Sequence, residues 1–332
     1  MAWNTSSIAR GCAGGCDRAD AVTRQSLPSL IALDWGTSSL RASLLDDDGR
    51  VLRTRTEPWG IMQVPQGDFA AVFRAMTAEW HCPEVPALAS GMIGSTNGWV
   101  NAPYCTAPVG ADDLAAALTV VPDALLSIVH GVATHGDRPD VMRGEETQIV
   151  GALALHPHLV SHSLVVLPGT HSKWVQVIEG RITDFTTYMT GELFAVLRDH
   201  SILGRAAVAA TDDDAAAAEA FTHGVLAAQA EPAGLAPLLF SPRALVLANR
   251  LAASAGLEYL SGLLIGDELR CGLMRGGRPA ALVGDEALCA RYVVALRLLG
   301  IPDVPVIVGA ADAGLWSIAR LAGLVRPMAR VT

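Results

Sequence analysis

The sequence predicts an α/β protein built from two facing halves of related design. Three observations carry that expectation. Residues 29–51, SLIALDWGTSSLRASLLDDDGRV, run from an apolar strand at 30–33 through Asp34 into the turn Trp35-Gly36-Thr37-Ser38-Ser39, then into a strand over 40–45 and a second turn at 46–49. Residues 164–182 repeat this build, with an apolar strand at 164–167, the turn Pro168-Gly169-Thr170-His171-Ser172, an alternating strand to Val177 and a turn at Glu179-Gly180. Elsewhere strand-sized apolar runs alternate with segments of helical period.

The chain has 332 residues, enough for two domains, with 51% hydrophobic and 17% charged residues, so substantial cores can form. A formal net charge of -9 argues against nucleic acid as a general partner while leaving room for a local basic pocket. No apolar run reaches the length of a membrane helix. Of the six cysteines only Cys12 and Cys16 are close, and they lack a second pair at zinc-site spacing. Such scattered thiols suit a reduced, cytoplasmic protein. Residues 1–27 have no sustained apolar period and no secretory core, and are expected to be a disordered extension.

In chain order, a carboxylate at a strand end followed by a Gly/Thr/Ser turn is suited to phosphate. Turn N–H groups and hydroxyls hold oxygens, and the carboxylate holds Mg²⁺ through water. The same residues also make an ordinary hairpin. A helix is expected over 69–80 and a strand over 85–89, running into Ser90-Gly91-Met92-Ile93-Gly94-Ser95-Thr96-Asn97-Gly98-Trp99. That string is either a loop that approaches a ligand or a long surface turn. A short helix at 112–118 and a strand at 125–130 precede a polar loop. A helix then begins at Glu145, whose two leading acids also suit the helix dipole alone. In the second hairpin Lys173 can add a point charge, and His171 serves equally as a turn residue. A Ser-His hydrolase arrangement is excluded at 170–172, because strand neighbours point to opposite faces.

Residues 186–203 read as helical from Gly191, and the Ala/Asp-rich 206–220 as a linker or loose helix. Helices dominate 221–270. Within them 258–269 is apolar, with small Ser261, Gly262 and Gly266 that admit another backbone or a flat ligand. A strand at 280–283 ends in Gly284-Asp285. A helix at 288–299, a last strand at 304–308 and a closing helix at 315–324 complete the chain.

The strings IALDWGTSSLRA (31–42), GMIGSTNGW (91–99), APY (102–104), VMRGEETQ (141–148), LPGTHSKWV (167–175), MTGELF (189–194), SGLLIGDE (261–268) and ARY (290–292), in this order, resemble the 2-dehydro-3-deoxygalactonokinases. These are sugar kinases of the actin, hexokinase and heat-shock-chaperone superfamily, and the resemblance runs from about residue 31 to 319. It implies two ribonuclease-H-like domains of the actin-like ATPase fold, with a nucleotide cleft between them. Domain I would span 28–143, completed by a C-terminal helix at 312–332, and domain II would span 144–311. It also implies ATP and Mg²⁺, a sugar acid as the other substrate, and phosphorylation of 2-dehydro-3-deoxy-D-galactonate to its 6-phosphate in galactonate breakdown.

The resemblance further implies residue roles. Glu145 would be the general base, with Glu146 its competitor; many relatives carry Asp there, and Glu moves the carboxylate by one methylene. Asp34 would hold Mg²⁺ through water. Gly36, Thr37, Ser38 and Arg41 would meet the phosphates from one side, and Gly169, Thr170, His171 and Lys173 from the other. Arg143 or Arg41 would stabilise the transferring group. Gly284 would lie by adenine, although Gly284-Asp285-Glu286 departs from the small turn usual there. Ser95, Asn97, Trp99 and Tyr104 would contact the sugar. The alternatives are a kinase for another sugar acid, a non-catalytic ATP-binding regulator, and a phosphatase of this superfamily.

Overall fold

The computed structural model describes residues 27–80, 82–205 and 214–325. The extension expected at 1–27 lies outside the described residues but for Leu27, as does most of the 206–220 linker. The first hairpin is β1 (Pro28–Trp35), β2 (Leu40–Asp46) and β3 (Val51–Glu57). Then come α1 (Phe69–Thr77), β4 (Ala87–Gly91), β5 (Tyr104–Thr106), α2 (Ala111–Ala116), β6 (Thr119–Val120), β7 (Leu126–Ile128), β8 (Gly131–Thr134) and β9 (Asp140–Met142). The second half holds α3 (Glu145–Leu155), β10 (His162–Leu167), β11 (Ser172–Ile178), β12 (Arg181–Tyr188), α4 (Thr190–His200), α5 (Ile202–Arg205), α6 (Asp214–Ala230) and α7 (Ser241–Leu247). It ends with α8 (Gly256–Gly276), β13 (Ala281–Val283), α9 (Glu286–Leu298), β14 (Val306–Ile307) and α10 (Ala310–Leu321).

Two main sheets share one plan. The first runs β3-β2-β1-β4-β7-β6 and the second β12-β11-β10-β13-β14, while β5-β8-β9 form a small third sheet. In each main sheet an antiparallel hairpin leads into parallel strands. This is the two-part ribonuclease-H-like plan expected from the sequence, with the short β6 added to the first edge. The unbroken apolar runs of the central strands follow from burial on both faces. On β10, Val165 and Leu167 face a core between the sheets, and Leu164 and Val166 face a core under α6, α8 and α9. On β1, Leu30 and Ala32 share the intersheet core, and Ile31, Leu33 and Trp35 face α1.

Helices α3 and α10 lie in that intersheet core, through Ile149, Ala152, Leu315 and Ile318. They cross at two glycines. A Cβ on Gly151 would sit 1.8 Å from the Ala310 carbonyl oxygen, and one on Gly314 would sit 1.9 Å from that of Thr147. Only hydrogen at both positions permits this backbone approach. α10 also packs on β1 and β4, so the chain end returns to the first sheet. Among the described residues no helix is long and apolar enough to cross a membrane.

Candidate active site

Parallel strands leave their C-terminal ends open to loops, and here those ends converge. A cleft of about 500 Å³ is lined by Asp34, Gly36 and Arg41 of the first hairpin, Gly284 and Asp285 after β13, Asp312 in the first turn of α10, and Gln148 of α3. The Gly36 N–H is spent on the Ser39 carbonyl at 2.9 Å, which closes the turn. The N–H groups of Thr37 and Ser38 have no partner among the described residues, and both side chains are exposed. The turn therefore offers donors at Thr37 and Ser38, with Gly36 giving close approach.

Asp34, the penultimate residue of β1, lines this cleft. Burial pushes its carboxyl up to about 6; Arg41 opposes the shift, and the charges of Asp312 and Glu145 add to it. Arg41 reaches Asp312 at 3.6 Å. Two glycines let Glu145 stand close by. A Cβ on Gly91 would lie 2.8 Å from the Trp35 carbonyl oxygen and 3.5 Å from Asp34 Oδ1, and one on Gly144 would lie 3.2 Å from Gly91 Cα. Both glycines have positive φ, 94° and 106°, which other residues rarely adopt. Asp34, Gly91 and Gly144 are thus stacked, and Glu145 starts α3 from the end of that stack.

Glu145 is partly exposed and accepts the Arg143 N–H at 3.0 Å. Burial raises its pKa, against the opposing effects of Lys173, the backbone hydrogen bonds and His171. Glu146 is fully buried and accepts the Gly144 N–H at 2.7 Å and the Thr147 hydroxyl at 3.1 Å. Burial first, and the charge of Glu145 second, push it up to about 8.

The second turn is built differently from the first. The Gly169 N–H turns inward to Ser172 Oγ at 3.3 Å, so it is not a free phosphate donor. Those of Thr170 and His171 have no partner among the described residues. The start of α4 braces this turn. Glu192 N–H bonds the Thr170 carbonyl at 3.0 Å, and the Glu192 carboxylate pairs with His171 Nε2. Beside the turn lies an apolar slot of about 280 Å³ lined by Gly169, Gly191, Ser261, Leu264, Leu288 and Tyr292.

Lys173, Arg143 and Trp99 stand apart from the roles expected of them. Lys173 is buried, and its ammonium donates to the Val141 carbonyl and Thr187 Oγ1, each at 2.8 Å. It ties β9 to β12 and leaves the phosphates to others. The Arg143 guanidinium points back to the loop at 94–104. It stacks over the Tyr104 ring at 4.3 Å and donates to the Ala102 carbonyl at 2.7 Å, with Nε and Nη1 buried and unpartnered. Trp99 packs on Phe69 and Phe73 in the core under the first sheet, away from Asp34. Gly284 lines the cleft beside Asp285. Ser95 keeps a buried hydroxyl with no partner among the described residues, and Asn97 is exposed.

Asp312, Gln148 and Glu192 belong to the site but were not singled out from sequence. Asp312 had a usable signal, since Gly309-Ala310-Ala311-Asp312 follows a strand and opens a helix as the other site turns do. Among the described residues no group of three or more His, Cys, Asp or Glu is arranged to hold a metal ion.

Comparisons with known proteins agree with this architecture. The 2-keto-3-deoxy-galactonokinase family profile matches residues 34–318. The 2-dehydro-3-deoxygalactonokinase of Escherichia coli (strain K12) is 39% identical over 293 residues, covering 87% of this chain and 97% of that protein. A Rhizobium meliloti (strain 1021) protein named a probable 2-dehydro-3-deoxygalactonokinase is 40% identical over 276 residues, covering 81% and 89%. The crystal structure of a Sinorhizobium meliloti protein carrying the same name superposes with a TM-score of 0.79 at 36% identity, covering 88% of this chain and 98% of that one. At the level of fold alone, the activator of 2-hydroxyisocaproyl-CoA dehydratase from Clostridium difficile matches with a TM-score of 0.50 at 13% identity, covering 90% and 96%. With both halves of the cleft inside the matched region, the chain belongs to the 2-keto-3-deoxy-galactonokinase family.

Proposed function

We propose that this chain transfers the terminal phosphoryl group of ATP to the 6-hydroxyl of 2-dehydro-3-deoxy-D-galactonate, a step of galactonate breakdown in the cytoplasm. One observation carries the proposal: two turns keep N–H groups unpartnered among the described residues, Asp34 lines the cleft, and the Gly91–Gly144 contact brings Glu145 close enough for its charge to act on Asp34. Phosphoryl transfer needs positioned donors, a metal-side carboxylate and a base for the attacking hydroxyl, and little else. Thr37 and Ser38 hold the phosphates from the first jaw, residues 28–143 with the returning α10. Thr170 and His171 hold them from the second, residues 144–311. The apolar slot beside Gly169 takes the adenine. Asp34 and Asp312 hold Mg²⁺ through its waters, and the ion supplies charge neutralisation on the phosphates. Glu145 accepts the hydroxyl proton.

Arg143 takes a different part. A sugar acid brings a carboxylate to the site, and a buried guanidinium with two unpartnered donors is a costly arrangement that such an anion relieves. Tyr104 covers the guanidinium and closes that end.

A coupled assay of ADP release, run with ATP, Mg²⁺ and a panel of 2-keto-3-deoxy sugar acids, tests the proposal. Turnover should be fastest with 2-dehydro-3-deoxy-D-galactonate. Preference for another sugar acid would move the substrate. Phosphate release without sugar, or nucleotide binding without turnover, would overturn the kinase activity.

A further inference from the structure

A buried carboxylate that the transfer itself does not use stands behind the second turn. Glu268 of α8 is 2% exposed. Its Oε1 accepts the Trp174 indole N–H at 2.9 Å, and its Oε2 accepts the Tyr292 hydroxyl at 2.5 Å and the Thr190 hydroxyl. The Tyr292 oxygen lies 3.0 Å from Ser172 Oγ, which accepts the Gly169 N–H at 3.3 Å. The Tyr292 hydroxyl has one proton and gives it to Glu268, so this chain has one direction. Tyr292 donates to Glu268, Ser172 donates to Tyr292, and the Ser172 lone pair is left for Gly169. Burial raises the Glu268 pKa, and the donors from Thr190, Tyr292 and Trp174 work against that rise. Thr190 and Tyr292 also line the apolar slot beside Gly169.

We propose that Glu268 is a positioning residue for the nucleotide. Through Tyr292 and Ser172 it holds the Gly169 N–H inward, which sets the turn so that Thr170 and His171 offer their N–H groups to phosphate. Through Thr190 and Tyr292 it fixes the wall of the base slot. The proposal rests on the second turn being a phosphate turn, as argued above. It explains why two strings outside the cleft, SGLLIGDE and ARY, accompany the phosphate turns: Glu268 and Tyr292 end them and meet beneath the turn.

Tyr292→Phe removes one hydroxyl and keeps the ring, and Glu268→Gln keeps the shape but faces both hydroxyls with an amide. The measurements are KM for ATP, KM for the sugar acid, kcat, and binding of a non-hydrolysable ATP analogue by calorimetry without sugar. A thermal melt checks folding. The loss of a hydrogen bond to a charged group is worth about tenfold in binding. Tyr292→Phe should therefore raise both KM for ATP and the analogue Kd about tenfold, and leave KM for the sugar acid within about twofold. Glu268→Gln should raise them further. Equal movement of both KM values, or of neither, would overturn the positioning role. Should Glu268→Gln fail to fold, Tyr292→Phe and Thr190→Val decide the matter. A wild-type protein without sugar-acid turnover would sink the kinase proposal instead, and the analogue titration still reports on Glu268.

Discussion

Glu145 and Glu146 are adjacent and chemically alike, and the fold separates them by what each faces. Glu146 is sealed among backbone donors and pushed up to about 8, so it is largely neutral at pH 7 and has no route to substrate. Glu145 is partly exposed. Glu145→Gln should lower kcat by roughly 10²-fold or more while leaving KM for ATP little changed, as steady-state kinetics would show; undiminished turnover would remove Glu145 from the role. Glu146 makes its own prediction about pH. Its carboxyl titrates near 4.5 when unperturbed and near 8 in the fold, so the folded state binds the proton more tightly. The resulting stabilisation is full below about 4.5 and is lost as pH rises to about 8. Glu146→Gln should flatten the fall in Tm between about pH 5 and pH 8 and raise Tm at pH 8 by several degrees. An unchanged slope would show that Glu146 is not the titrating group.

At the level of elements, the two hairpins are legible in the sequence for a physical reason. Strands buried on both faces leave unbroken apolar runs, and the turns that end them must be polar and small. What the runs cannot show is which way a side chain faces once sheets and helices meet. Lys173 follows a phosphate-like turn, but it points to the β9–β12 side and spends its ammonium there. Trp99 ends a glycine-rich loop and still reaches back into the α1 core. Gly262 and Gly266 admit backbone rather than a flat ligand, since a Cβ on either would meet Phe221 or Val225 of α6 at 2.1 and 2.9 Å. The Glu268 network joins β11, α4, α8 and α9, and its partners lie far apart in the chain. No local pattern links them, and only the packing of α8 and α9 behind the second sheet brings them together.

Across the whole molecule, the crossing of α3 and α10 joins the two sheets. Gly314→Ala puts a methyl into backbone, and overpacking of this kind costs about 1–3 kcal/mol. Chemical denaturation should show a loss of that size, accompanied by reduced activity; wild-type stability would mean the helices can part without cost. The crossing also has a mechanical consequence. Two backbones in direct contact have no interlocked side chains at that point, so pivoting disturbs less packing there than sliding does. Glu145 lies six residues before Gly151, roughly 9 Å along α3, and Asp312 two residues before Gly314, roughly 3 Å along α10. Any closing motion of the sheets would therefore use this crossing as its fulcrum. Glu145 and Asp312 would then travel on short lever arms.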